Sequence, residues 1–334
     1  MKRIMAVYDV DPFYADRFAE FANHKETTPF TAVAFTSISR LKAFAAQQPV
    51  ELLLVGDDVE EAELEGIEVG QVIRLSETGA AKDGAPAVYK YQASDSVLRE
   101  VMACYQVQER PVLMTATGRK SQVIGVYSPV SRCGKTGFAV TLGQVLAREK
   151  KVLMLSLEEF SGLGALTGTV HSGSLSDLIY YYRQGTYNSL RLGSVVYNWG
   201  GLDYVPPVTY AEDLADVQGD ELAGLMAQIA GESVYEVILV DLGHFARDVE
   251  KLLALCDVIY VPVKEDVVST AKLEEWKGYL SASGREAMWE RIRLLRLPRP
   301  RSVGPRETYL EQLLWGELGD FVRELVRGAG KGWC

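Results

Sequence analysis

Lys135 and Thr136, directly after Gly134, are the residues whose types and spacing best suit chemistry in this chain. They stand where an apolar run rich in β-branched residues, VIGVY, turns through small residues into the helical pattern FAVTLGQVLARE. A strand that turns into a helix start aims several backbone N–H groups and the positive end of the helix dipole at one point. A polyphosphate is the natural occupant of that point. Lys135 would bridge the outer phosphates, and the Thr136 hydroxyl would ligate Mg²⁺. Ser131, Arg132, Cys133, Gly134, Lys135, Thr136 and Gly137 therefore form the expected nucleotide-binding loop. The full pattern G-x-x-x-x-G-K-[ST] is not met, because Pro129 holds its first glycine position. A bare GKT is common, and only its strand-to-helix setting makes it informative.

Two further sets of carboxylates fit such a site. The strand VILVDL ends in Asp241, and a carboxylate at the carboxyl end of a buried parallel strand sits in the crevice where α/β sheets bind ligands. There it would hold Mg²⁺ through water. Glu158 and Glu159 end the strand pattern KVLMLSLEE. One of them, with Glu158 the candidate, would orient the attacking water of a hydrolase; the pair reads equally as a charged turn. The strand that carries them follows the loop's helix, so it is expected next to the VIGVY strand.

Two α/β blocks must position these groups. A chain of 334 residues suggests two domains. In the first, strand patterns RIMAVYD, FTAVAFT, VELLLVGD, GQVIRLS and AVYKYQ alternate with helical ones. The helix SISRLKAFAAQQ is capped by Ser37 or Ser39, and ASDSVLREVMACYQVQ by Ser94. This alternation predicts a parallel, helix-covered sheet over 1–108. Residues 109–121 lack periodicity and read as a linker. Over 122–334 the strands are VIGVYSP, KVLMLSLE, a pair around SVVYN and LDYVPPV, VYEVILVDL, CDVIYVPVKE and RIRLLRL. TYLEQLLWGELGDFVRELVRG closes the chain as one helix. The fold class expected is thus α/β, two three-layer domains.

An apolar fraction of 48% is ample for packed cores, and a net charge of −10 argues against a generally DNA-coating protein. The four cysteines show no metal-ligand spacing, which fits reduced thiols in a cytosol. His24, His171 and His244 are isolated in sequence and suggest neither a zinc site nor a catalytic triad. Met1-Lys2-Arg3 runs straight into a strand pattern rather than a signal peptide, and no segment is apolar for long enough to span a bilayer. A cytoplasmic location is expected.

SPVSRCGKT resembles the deviant Walker A motif of MinD/ParA-type ATPases, x-K-G-G-x-G-K-[ST]. VLMLSLEEFSG is similar to that family's second acidic motif, and VILVDLG to its Walker B strand. LDYVPPVTYAEDL and CDVIYVPVKEDVVSTAKLEEW resemble the intervening and following segments. The motifs follow in the family's order over the last two thirds of the chain. The resemblance implies a P-loop NTPase sheet, Mg-ATP bound through Lys135, Thr136 and Asp241, and a homodimer built around nucleotide. The departures are specific: Val130 stands for the signature lysine, Ser131 and Arg132 for two glycines, and Ser156 and Glu158 for the D-x-D aspartates. Hydrolysis is therefore left open, as is Arg132 in place of the missing cation. Cys133 reads as structural. No guanine-reading N-K-x-D motif is present, so adenine is the expected base.

The order of elements in residues 3–108 resembles a response-regulator receiver domain, with Asp9, Asp11, Ser76 and Lys90 at the matching strand ends. The phosphoacceptor position falls on Gly56, ahead of Asp57 and Asp58, so a receiver-like docking module without normal phosphotransfer is expected. Asp57 remains an off-register acceptor to test. The two modules together look like the TadZ/CpaE branch, which localises Flp-type pilus and secretion assemblies. That implies protein partners from such a machine. The alternatives are a non-hydrolysing ATP-bound scaffold and a DNA-binding partition or regulatory protein. For the latter, the arginines at 285, 291, 293, 296, 299, 301 and 306 form a basic patch, or simply line the solvent face of an edge strand. The closing helix, with mixed charges on its polar face, fits packing on the sheet better than binding a membrane surface.

Overall fold

The computed structural model describes residues 3–25, 28, 30–78, 86–105, 121–244, 246–298 and 308–329. They form two compact units, each with its own sheet. The stretch 106–120, most of the expected linker, lies outside the described residues, as do the arginines at 299, 301 and 306. Ser121, at the end of that stretch, is buried in the second unit, where its hydroxyl donates to Ala230 O (2.9 Å) and Tyr235 O (2.6 Å).

The first unit contains β1 (Arg3–Tyr8), β2 (Phe30–Phe35), β3 (Val50–Gly56), β4 (Val69–Ser76) and β5 (Ala87–Tyr89). They pair in the order β2-β1-β3-β4-β5, all parallel. β3 is an apolar run because helices cover both faces of a parallel sheet, and its Leu52, Leu53, Leu54 and Val55 are all fully buried. Asp11 caps the helix Pro12–His24, its Oδ1 accepting from Phe13 N (2.9 Å) and Tyr14 N (3.4 Å). Proline at the first helical position costs nothing there, since that N–H would have no partner in the helix. Asn188–Ser194 also belongs to this unit, and Leu190 joins its core.

The second unit contains β6 (Gln122–Val126), β7 (Val152–Leu157), β8 (Tyr197–Trp199), β9 (Leu202–Val205), β10 (Val237–Leu242), β11 (Val258–Pro262) and β12 (Ile292–Leu295). Their order is β12-β11-β6-β10-β7-β9-β8, with only β8 antiparallel. All six residues of β7 and of β10 are buried, as expected of inner strands. The helix Lys135–Leu146 is buried almost all round; Phe138 packs edge-on to Tyr260 at 5.5 Å. Each such large side chain, fully buried, stabilises the fold by about 1.5–3 kcal/mol. Among the described residues no helix is long and apolar enough to cross a membrane.

Four expectations about elements are corrected. β7 does not adjoin β6: β10 lies between them, which sets Asp241 beside the loop that follows β6. Ser94 is inside its helix, whose cap position is Ala93 with no side-chain bond. The strand expected around SVVYN starts at Tyr197, because Ser194 and Val195 end the helix Ser189–Val195. The closing helix breaks at Gly316 into Tyr309–Trp315 and Glu317–Ala329. Its apolar residues, including Leu310, Leu318, Phe321 and Leu325, pack into the core of the second unit.

Candidate functional site

The phosphate-type loop runs from the end of β6 to the helix Lys135–Leu146, and its shape comes from a few anchors. Ser128 is fully buried, donates to Pro262 O (2.7 Å) and accepts from Val130 N (3.0 Å). Cys133 is buried and its thiol donates to Val130 O (3.1 Å), which agrees with a structural part for it. Gly134 stands at the helix cap with φ 88°, a left-handed backbone that glycine takes without strain. Arg132 also sits in that region, at φ 54°, where a residue with a Cβ is uncommon and costs roughly 1–2 kcal/mol. Ser131 and Arg132 are exposed, while Thr136 and Gly137 lie in the first helical turn, whose N–H groups have no partner within the helix.

Four of the expected groups converge. The Thr136 hydroxyl donates to Asp241 Oδ2 (2.7 Å). The buried Lys135 ammonium donates to Leu242 O (2.8 Å) and pairs with Glu158 Oε1 at 2.5 Å. Of the two glutamates ending β7, Glu158 is therefore the one turned to the loop; Glu159 is exposed. Gly243 permits this closeness: a Cβ there would lie 2.7 Å from Leu157 O and 2.9 Å from the Glu158 Cα. Lys264 also reaches the loop, its ammonium donating to Ser131 O at 3.4 Å.

Asp241 is wholly buried, and burial pushes its carboxyl up to about 6; the Thr136 hydrogen bond and Lys135 pull it down, and Glu158 raises it. Its Oδ1 has no hydrogen-bond partner among the described residues. Nor has the hydroxyl of Ser156, its buried neighbour in register across β10 and β7. Orphaned polar atoms of this kind are uncommon, because each costs about 1–3 kcal/mol of desolvation. A divalent cation with its water shell would satisfy them and offset the charge that burial penalises. Among the described residues no set of three or more His, Cys, Asp or Glu could hold a metal alone. A threonine hydroxyl with one carboxylate suits Mg²⁺, which keeps several waters and takes the rest of its ligands from phosphate. The residues present thus fit the metal.

His244 lies just past Asp241 and was not singled out by sequence, since a lone histidine carries no spacing signal. Desolvation and the Lys135 ammonium lower its pKa, with Lys272 adding to this and Glu158 and Glu159 opposing it. Of the four described arginines in the arginine-rich stretch (285, 291, 293 and 296), three are engaged locally. Arg291 donates to Ala254 O and Cys256 O (both 2.9 Å), Arg293 to Glu290 O (2.7 Å), and Arg296 pairs with Glu265 at 2.6 Å. β12 is an edge strand, as expected.

In the first unit, the fully buried Asp9 pairs with Lys90 at 2.8 Å and accepts from Asp11 N (2.9 Å). At the end of β3, a Cβ on Gly56 would lie 2.5 Å from Asp58 Oδ1 and 3.5 Å from Asp9 Oδ2. The Asp58 carboxylate thus occupies the space a side chain at 56 would need.

No family model and no curated protein matches the chain. Among solved structures it is similar to a ParA family ATPase from Chlorobium tepidum TLS, at 17% identity and a TM-score of 0.48, over 61% of this chain and 98% of that one. It is also similar to a plasmid partition protein from Borrelia burgdorferi, at 14% identity and a TM-score of 0.44, over 62% and 95%. A third is cobyrinic acid a,c-diamide synthase from Mycobacterium smegmatis with bound ATP analog and magnesium, at 15% identity and a TM-score of 0.42, over 60% and 82%.

Proposed function

We propose that this chain is a nucleotide-dependent switch whose second unit binds Mg-ATP and pairs with a second copy around it. The observation that carries this reading is the convergence of Lys135, Thr136 and Asp241 at one helix start, with Asp241 Oδ1 left without a partner. Backbone N–H groups of 131–137 and the Lys135 ammonium would cradle the phosphates. Thr136 would ligate Mg²⁺ directly, and Asp241 would hold its water shell. The metal would supply positive charge at the outer phosphates; everything else is done by the chain. Phe160, on the loop after β7, and Val267 and Val268, at the start of the helix Val267–Ala282, stay 84%, 86% and 64% exposed, apolar surface that suits a partner copy. The exposed Arg132, in its left-handed conformation, takes the place of the family's signature cation.

Glu158 would leave Lys135 when a triphosphate arrives and turn to the attacking water, giving slow hydrolysis that releases the pair. A second reading, a scaffold that holds ATP without splitting it, is favoured by the same ion pair, because Glu158 is bound rather than aimed at a nucleophile. Single-turnover hydrolysis at high protein concentration separates the two.

The first unit is read as a receiver-like docking module that has lost phosphotransfer, supported by Gly56 at the strand end and by Lys90 committed to Asp9. With the motif order of the second unit, this favours the TadZ/CpaE-like role of placing a pilus or secretion assembly, from the cytoplasm or at the inner face of a membrane. Solution mass with and without Mg-ATP is the direct test. A dimer formed only with nucleotide, and lost in Lys135→Ala, is expected; an unchanged monomer would remove the switch.

A further inference from the structure

We propose that His244 is a further phosphate-contacting residue of this site, its imidazole donating a hydrogen bond to the terminal phosphate so that the chain tells a triphosphate from a diphosphate. The inference rests on the nucleotide reading above. The residues leading to His244 are each engaged with the phosphate loop or with β7. Asp241 Oδ2 accepts from the Thr136 hydroxyl (2.7 Å), Leu242 O accepts from the Lys135 ammonium (2.8 Å), and Gly243 N donates to Leu157 O (3.2 Å). Gly243 has no room for a Cβ against the β7 end, so the chain leaves β10 pressed against Glu158. The next side chain is a solvent-exposed imidazole within electrostatic reach of Lys135, Glu158, Glu159 and Lys272.

Its place is held by aromatic packing. Tyr127, the residue after β6, meets the imidazole edge-on at 5.4 Å and is itself packed on Trp276 at 5.3 Å. Tyr127 Oη lies 3.5 Å from His244 Nδ1. Burial pushes the Tyr127 hydroxyl up to about 12, so it stays a phenol able to donate to Nδ1. With that hydroxyl as the donor to Nδ1, the ring proton of neutral His244 sits on Nε2, and in the imidazolium both nitrogens carry one. Nε2 is a donor in either charge state.

The test titrates wild type, His244→Ala and His244→Gln with Mg-ADP and with a magnesium-loaded non-hydrolysable triphosphate, by calorimetry. Loss of one charged hydrogen bond should weaken the triphosphate about fivefold to tenfold in His244→Ala, while ADP moves less than about twofold. His244→Gln, which keeps an N–H donor, should recover part of that loss. In isotope-labelled protein, the His244 Nε2 resonance should shift with the triphosphate and not with ADP, with His24 and His171 as internal controls. Equal weakening of both nucleotides, no weakening, or a silent resonance overturns the assignment. A wild-type chain that binds neither nucleotide overturns the nucleotide reading and this assignment with it; triphosphate binding unchanged in His244→Ala overturns the assignment alone.

Discussion

Replacing Glu158 with glutamine removes the competitor that a triphosphate must displace. Without nucleotide, the Lys135 ammonium has two acceptors, Glu158 Oε1 at 2.5 Å and Leu242 O at 2.8 Å. The lysine side chain is 8% exposed and the glutamate 20%, so solvent screens the pair only in part. The ion pair lies toward the upper end of the about 1.5–3 kcal/mol net of a hydrogen bond with a charged group, and glutamine, which leaves only the lysine charged, toward the lower end. Glutamine keeps the shape and one acceptor, so the competition falls by about 1–1.5 kcal/mol. At roughly 1.4 kcal/mol per factor of ten, Mg-ATP should bind about five to ten times more tightly. Calorimetry with a non-hydrolysable analogue at fixed magnesium measures it, and denaturant unfolding should show the nucleotide-free variant weakened by about 1 kcal/mol. An affinity equal to or below wild type, with the fold intact, would refute the reasoning and make Glu158 a contributor to binding instead.

Arg132→Gly should act in opposite directions on two readouts. Relief of the left-handed backbone raises nucleotide-free stability by up to about 1 kcal/mol, while loss of the guanidinium weakens triphosphate binding; a fall in both would show that the φ of 54° carries no strain. For Asp241 the sign runs against the usual carboxylate. Its folded value of about 6 lies above the ordinary 3.8, so the folded chain binds the proton more tightly. The metal-free protein is therefore favoured at low pH and loses about 3 kcal/mol of stability as pH rises from about 4 to about 6, at roughly 1.4 kcal/mol per unit. Unfolding curves across that window should flatten in Asp241→Asn, and an unchanged slope would locate the effect elsewhere. Gly243→Ala would force a Cβ to 2.7 Å from Leu157 O and 2.9 Å from the Glu158 Cα, both backbone atoms with little room to yield. It should cost about 1–3 kcal/mol by urea unfolding, and a neutral result would mean that the two strand ends can part.

The existence and type of the elements near the site were legible because their patterns are strong. VILV and VLML are uninterrupted apolar runs of the kind that strands covered on both faces bury, and GKT marks a helix start because it follows such a run and precedes a helical pattern. Ser94 shows where local signals fail: a serine beside a helix start is not a cap unless the preceding backbone is extended at that residue, and here Ala93 holds that position. Gly316 likewise interrupts a helix that periodicity alone would run through.

The residue types of the loop, the strand carrying Asp241 and the glycine that ends β3 are properties of the chain itself, set by local order and periodicity. Which strand lies next to which is not, because pairing is settled by crossovers between segments far apart in sequence. By placing β10 between β6 and β7, the tertiary structure brings Thr136 to Asp241 across 105 positions and Lys135 to the carbonyl of Leu242 across 107. It also turns Glu158, rather than Glu159, toward the lysine, and sets the imidazole of His244 beside Tyr127. Contacts of that kind depend on side-chain direction and burial, which no spacing along one strand encodes.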